Sequence, residues 1–316
     1  MSRYLVTGAY GAIGVWTIRS LLDRGYEVVS FDIGEQAPRL AIALEPEQAE
    51  RITRVRGDIG DLNAVEQAID EHAITHVIHL AALQVPFVRA DPPLGARVDV
   101  LGTVNVFEAV RRRKGRLAPL VYASSIAALG DGDHPSTLYG VFKWANEGTA
   151  ERYFEDYGVS SIGLRPHTVY GPGRDQGLTS APTMALVAAA AGVGYRIPFG
   201  GSVQMQYSTD VGEAFARASE AEIEGAPVHN LDGPVVSMRE LIELIERHVP
   251  EAAGRITAAG EPLPFPPGVD GSAFAELLGG SVMRPIEAGV ADSLERFREL
   301  LADGRVKAPT AHRDAG

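Results

Sequence analysis

The sequence predicts an α/β fold in which a nucleotide-binding domain is followed by a smaller lobe, on three observations. Strand-like and helix-like segments alternate up to about residue 165 and become mixed after it. The first strand runs into a glycine turn, Gly8-Ala-Tyr-Gly11-Ala-Ile-Gly14, then a helix, a second strand and an acid, Asp32. Much later, Tyr139-Gly-Val-Phe-Lys143 sets a phenol and an ammonium one turn apart on a single helix face.

Composition narrows the partners. Of 316 residues, 45% are hydrophobic and 22% charged, the proportions of a globular protein with an ordinary core. A net charge of -12 argues against nucleic acid or an anionic membrane as the main partner. The basic run Arg111-Arg-Arg-Lys114 falls at an expected helix C-terminus, where cations complement the dipole. There are no cysteines, which removes disulfide and thiolate chemistry and suits the cytoplasm. A first strand near Arg3 leaves no room for a signal peptide, and no apolar run is long enough to span a bilayer.

Residues 4–7 read as a short buried strand. The helix after the glycine turn carries Ile13, Thr17 and Leu21 on one face and stops at Gly25. Gly8, Tyr10, Gly11, Ala12, Ile13 and Gly14 form a turn that lets a pyrophosphate approach a helix N-terminus. Strand 26–31 ends in Asp32, whose carboxylate accepts from an adenosine ribose and repels a 2′-phosphate. Glu35 adds to that repulsion, so NAD is expected over NADP.

Residues 35–50 read as a connection with a polar, partly helical insert, and 54–58 as a third strand. Asp58, with Ile59, meets an adenine or else caps the helix expected over 62–72. Strand 76–79 runs into Leu80-Ala81-Ala82, a small-residue turn open to a cofactor. His72, His76 and His79 do not make a metal site, because the strand spacing of the last two sends them to opposite faces. No metal is expected.

Residues 84–93 read as a loop bordering a substrate pocket, with Gln84 at its start, and 98–113 as a long helix. Strand 119–123 ends at Ser124-Ser125, on the sheet edge where open parallel sheets bind ligands. Strand 160–164 precedes a structured loop, 165–174, that carries His167 and Arg174. Beyond it, helices are expected over 181–191, 209–221, 238–248 and 292–302, and strands over 204–207 and 228–231. Ser237-Met-Arg-Glu240 is a capping box. Residues 261–271 read as a proline-rich loop, and the last dozen residues as a frayed tail.

Taken together, Thr7-Gly-Ala-Tyr-Gly-Ala-Ile-Gly14, Asp32, Asp58-Ile59, His79-Leu-Ala-Ala82, Ser124-Ser125, Tyr139-x-x-x-Lys143 and Arg165-Pro-x-x-Val-Tyr-Gly-Pro-Gly173 resemble the extended short-chain dehydrogenases/reductases, in the NAD-dependent epimerase/dehydratase family. The resemblance covers residues 3–215 well and the remainder loosely. It implies a doubly wound parallel (Rossmann) sheet with NAD across its C-terminal edge, and a smaller C-terminal substrate-binding lobe. On that scheme residues 1–165, with parts of 202–232, bind the cofactor, while 166–316 supply the lobe and tail. It implies Tyr139 as acid/base, Lys143 on the nicotinamide ribose and lowering the Tyr139 pKa, and Ser125 orienting the substrate oxygen. It also implies a homodimer paired through 98–113 and 139–157; the second carries Phe142, Ala145, Thr149 and Tyr153 near one face, apolar enough for a partner or for burial in the chain's own core.

Several positions depart from the nucleotide-sugar members. The segment from Ser125 to Tyr139 is shorter, Thr168 stands where an asparagine often meets the diphosphate, and Gln206 where an arginine often does. Each lost charge-assisted hydrogen bond is worth roughly 1.5–3 kcal/mol, which argues against a nucleotide-linked substrate. Ile126-Ala127 replaces the acidic pair of family dehydratases, so dehydration is not expected. The expected activity is hydride transfer between NAD and a secondary alcohol of a sugar, sugar acid or similar polyol. A nucleotide-sugar 4-epimerase with tightly held NAD is the alternative, and an NAD-sensing regulator is the alternative of another class. Gln84, Ser125, His167, Arg174 and Gln206 are the candidate substrate residues.

Overall fold

Strands whose side chains alternate between two helical layers build the central sheet. In the computed structural model, which describes residues 2–130 and 134–309, β1 (Arg3–Thr7) sends Tyr4 and Val6 into one apolar core and Leu5 into the other. Further along the sheet Val28, Ile78 and Val121 join the first core, and Val29, Phe31, Val77, Leu120 and Tyr122 the second. Burial on both faces is the pattern of a parallel sheet covered by helices. The first core is filled by α1 (Ala12–Asp23) and α6 (Ser208–Ala218), the second by α2 (Leu62–Glu71), α3 (Gly102–Arg111) and α4 (Leu138–Tyr157).

Seven parallel strands lie in the order β10, β6, β5, β4, β1, β2, β3. Here β2 is Glu27–Asp32, β3 Ile52–Arg56, β4 His76–His79, β5 Leu120–Ala123, β6 Ser161–Arg165 and β10 Val228–Asn230. The chain moves outward from β1 through β3, then returns to lay β4 on the other flank of β1. That reversal is the switch point at which ligands of doubly wound sheets bind, beyond the strands' C-terminal ends.

The lobe contains β7 (Thr168–Tyr170), β9 (Ser202–Tyr207) and β11 (Val235–Ser237) in one sheet, and β8 (Tyr195–Ile197) with β12 (Ile256–Ala258) in another. Around them pack α5 (Ala181–Ala190), α7 (Met238–His248) and α8 (Ile286–Ala302). The capping box at Ser237 and Glu240 forms in both directions.

Four expectations about elements are corrected. The third strand begins two residues early, because its register on β2 runs from Ile52 opposite Val28 to Arg56 opposite Asp32. Residues 84–93 are not a plain loop: Val85–Ala90 and Pro92–Gly95 are helical, with prolines in their first turns and Asp91 capping the second. The long helix opens before residue 98, in a π-helical stretch, Ala96–Leu101. The structured loop after β6 contains β7, which gains a partner only when β9 arrives from far along the chain. The tail from residue 310 onward lies outside the described residues, among which no helix is long and apolar enough to cross a membrane.

Candidate active site

The cleft begins at the glycine turn. Gly8 takes φ +63°, and a Cβ there would stand 2.6 Å from the Cα of Ala81. A Cβ on Gly14 would stand 2.5 Å from the Gly8 carbonyl. Only bare backbone lets β1, the turn after β4 and the start of α1 come this close. The first-turn amides, Ala12 to Gly14, have no acceptor within the helix and line the cleft, so the turn fits a dinucleotide's pyrophosphate.

Outward from the turn the cleft is lined by Tyr10, Asp32, Asp58, Ile59, Leu80, Ala81 and Ala82. The Asp32 carboxylate accepts from the Tyr10 amide at 3.0 Å and the Gly34 amide at 2.9 Å, which fixes the tip of β2 at the rim. Asp58 does not cap α2; Asp61 does, accepting from the Asn63 and Ala64 amides. Asp58 instead accepts from the Gly60 amide and pairs with Arg97 at 2.7 Å. Glu35 is also corrected as a source of repulsion: it pairs with Arg56 and does not line the cleft.

His79 holds the cofactor turn in place. Thr103 donates to the Asp99 carbonyl, so its oxygen accepts from the His79 Nε2–H at 3.0 Å. His79 Nδ1 then accepts from Thr7 at 2.7 Å, and the Thr7 oxygen receives the Leu80 and Ala81 amides. Burial pushes the imidazole down to about 3, with the Lys143 charge adding to it, so it stays neutral.

Inward, Ser125, Tyr139 and Lys143 meet on one wall. Ser125 leaves β5 in extended conformation and accepts from the Ala127 amide, capping the turn Ile126–Ala128. Its neighbour Ser124 is drawn to Glu147. Tyr139 and Lys143 stand in the first turns of α4, whose start is capped by Thr137 accepting from the Gly140 amide at 3.0 Å. Lys143 is buried and donates to the Ala123 carbonyl at 2.8 Å, and its ammonium lies 5.7 Å from the Tyr139 ring centre.

The electrostatics differ from the expectation in one respect. Lys143 does not depress the phenol of the free protein. Burial between the cleft walls, reinforced by the negative charge of Asp99, pushes Tyr139 up to about 12, against smaller lowering by the Ser125 hydroxyl and the Arg174 charge. The same desolvation lowers Lys143, whose charge is supported by Asp99 and Glu147. Asp99, fully buried, is raised to about 6 by burial. Sequence reasoning missed it; the only signal was an acid inside an apolar helix. The π-helical stretch turns Asp99 inward, where Oδ1 accepts from the Leu83 amide at 2.6 Å and Asn146 donates to its carbonyl at 2.8 Å.

The substrate candidates divide. Gln84, His167 and Arg174 line the inner cleft with Ser125. Gln206 does not: it is fully buried, accepts from the His167 amide and donates to the Leu231 and Asp232 carbonyls. Both ends of that amide close on backbone, so the residue ties the lobe to the sheet. His167 donates through Nε2 to the Pro266 carbonyl at 2.8 Å and is held below its ordinary range by burial, hence neutral. Through it the Leu263, Pro264 and Phe265 segment is drawn across the pocket, a wall that nothing local in the sequence announces.

Comparison with known proteins gives concordant results. A sequence model described as the NAD dependent epimerase/dehydratase family matches residues 4–231. UDP-glucose 4-epimerase of Mycolicibacterium smegmatis is 30% identical over 318 residues, covering 94% of this chain and 98% of that protein. UDP-glucuronate 4-epimerase 5 of Arabidopsis thaliana is 33% identical over 183 residues, 53% of this chain and 42% of the plant protein, so the match spans less than half of that relative. A solved UDP-glucose 4-epimerase of Thermus thermophilus, in complex with NAD, is 25% identical with a TM-score of 0.80, covering 94% of this chain and 99% of that one.

Proposed function

Since the chain belongs to the NAD-dependent epimerase/dehydratase family, we propose that it moves a hydride between NAD and a secondary alcohol of a sugar, sugar acid or similar polyol, with Tyr139 as acid/base. The observation that carries this reading is the meeting of Ser125, Tyr139 and Lys143 at the inner end of a cleft that begins at a dinucleotide turn. Bound there, NAD supplies the hydride acceptor. The Ser125 hydroxyl orients the reacting oxygen, the Tyr139 phenolate takes the hydroxyl proton onto Oη, and the carbinol hydrogen leaves as hydride. Lys143 keeps a positive charge beneath the phenol. Return of the hydride to the other face of the ketone gives epimerisation, and release of the ketone gives oxidation.

Asp32 at the rim supports NAD as the cofactor. NAD is expected to bind more tightly than NADP, and Asp32→Ala to weaken NAD by about 10–100-fold, the loss of roughly 1.5–3 kcal/mol of charged hydrogen bonding. Titration of both cofactors against both proteins checks this. Equal affinity of the unaltered protein for the two would refute it.

One observation favours a nucleotide sugar instead: 30% identity across nearly all of a UDP-glucose 4-epimerase. Against it stands Gln206, committed to backbone at the position where an arginine would meet a diphosphate. The test is a panel of free sugars, sugar acids and nucleotide sugars, assayed for NADH release and separately for epimer formation. The proposed reading expects turnover of free sugars or acids and no thermal shift with UDP. A UDP shift comparable to that of NAD establishes the nucleotide-sugar reading.

A homodimer through the two helices beside the cleft is supported by the exposure of Leu101, Leu138, Val141 and Trp144. The face expected for this differs in part, since Tyr153 packs inward on Phe107. Light scattering at micromolar concentration should give twice the chain mass, and a monomer would exclude the pairing.

A further inference from the structure

Among the described residues that line the cleft, two buried polar atoms have no hydrogen-bond partner: Nε of Arg174 and Oε1 of Gln84. Both side chains line the inner cleft and come together beside Gly177. A Cβ on Gly177 would stand 2.2 Å from the Gln84 oxygen and 3.6 Å from a terminal nitrogen of Arg174. That glycine has φ +84°, and its lack of a side chain is what lets the Gln84 amide come up so close beside Arg174. Arg174 donates to the Thr179 hydroxyl at 2.8 Å and makes no ion pair among the described residues, while its neighbour Asp175 is paired with Arg39. A guanidinium stays protonated, and burial disfavours that charge more than the nearby Asp175 offsets it. The inner pocket sharpens the point: among the described residues its lining holds two cations, Lys143 and Arg174, and no carboxylate, in a chain of net charge -12.

We propose that Arg174 seats a carboxylate of the substrate while Gln84 accepts from an adjacent hydroxyl, so that the substrate is a small hydroxy acid, such as a sugar acid. This rests on the reading of the site as an NAD-dependent alcohol oxidation or epimerisation, and narrows it. A planar guanidinium matches a carboxylate with paired donors, and the neutral amide oxygen beside it complements a hydroxyl of the same molecule. The remaining walls, Leu178, Leu263, Phe265 and Val85, are apolar and strengthen that pair by excluding water.

The test is calorimetric titration of the full chain saturated with NADH, so that no oxidation proceeds. The probes are D-gluconate and D-glucuronate, with D-sorbitol and D-glucose as neutral counterparts and UDP as a diphosphate. The acids are expected to bind at least about tenfold more tightly than their counterparts. Arg174→Met should abolish that difference, leaving NADH affinity within about twofold and the melting temperature no lower, since an uncompensated buried charge is removed. Arg174→Lys, which keeps the charge but not the fork, should lose about tenfold and guards against a Met variant that misfolds. Acids and neutral polyols binding alike would overturn the assignment. So would Arg174-dependent binding of UDP but not of the acids, or a tenfold loss of NADH affinity in Arg174→Met with acid binding intact, which would give Arg174 to the cofactor phosphates. If NADH does not bind at all, the functional reading itself falls. If Tyr139-dependent turnover proceeds on neutral polyols regardless of Arg174, only the carboxylate assignment falls.

Discussion

Replacing Tyr139 with phenylalanine is expected to slow single-turnover hydride transfer by about 10²–10⁴-fold with NAD saturating, the usual contribution of a positioned base. The ring stays and its packing is kept, so NAD affinity and melting temperature should barely change. The unaltered protein should also carry a pH signature. Its phenol is held at about 12 by burial and by Asp99, so at neutral pH phenolate is scarce. Phenolate grows about tenfold per pH unit below the pKa of the phenol in the NAD-bound protein, and the transfer rate should climb with it until that pKa is passed. The climb should be absent in the phenylalanine variant. A variant that transfers hydride as fast as the parent would remove Tyr139 from the chemistry.

Lys143→Met is expected to slow transfer as much and to weaken NAD as well, with a cost in stability that Tyr139→Phe lacks. Lys143 is the cation that supports Asp99, which is fully buried. The two act on each other without a direct ion pair, so removing the ammonium destabilises by leaving the buried Asp99 charge less compensated. Without the ammonium the Asp99 carboxyl should rise further above its value of about 6. An acid raised in the folded state destabilises at pH above its folded pKa and ceases to do so below its unfolded one. The loss should therefore be full near pH 8 and relieved toward pH 4. Adding Asp99→Asn to Lys143→Met should restore the melting temperature at neutral pH and leave turnover low. A Lys143→Met protein as stable at pH 8 as at pH 4, relative to its parent, would show that the two groups are not coupled.

Much of this protein was legible without coordinates because its signals are local. Gly8, Gly11 and Gly14 mark a turn by needing no side chain, and Asp32 follows at the end of the next strand. Tyr139 and Lys143 fall one helical turn apart, so their sharing of a face follows from 3.6 residues per turn. The short apolar runs of β1, β2, β4 and β5 read as buried strands, and the helices between them make the sheet parallel. Sequence-wide charge and composition set aside nucleic acid and disulfides for equally local reasons.

What tertiary structure alone decided lies between segments far apart in the chain. Asp99 reaches the underside of Lys143 only through a π-helical stretch, a backbone detail that no residue spacing encodes. Its field and the burial around the phenol reverse the expected shift of Tyr139, since desolvation depends on every wall of the cleft at once. Gln206 looks like a substrate residue in sequence, yet the Leu231 and Asp232 carbonyls engage its Nε2 and the His167 amide its Oε1. The 263–265 wall depends on a hydrogen bond from His167 to Pro266. Gln84 comes up beside Arg174 only because Gly177 has no side chain in the way. Local propensity can specify an element and its face. Which atoms end without a partner is a property of the packed whole, because a partner can come from any part of the chain.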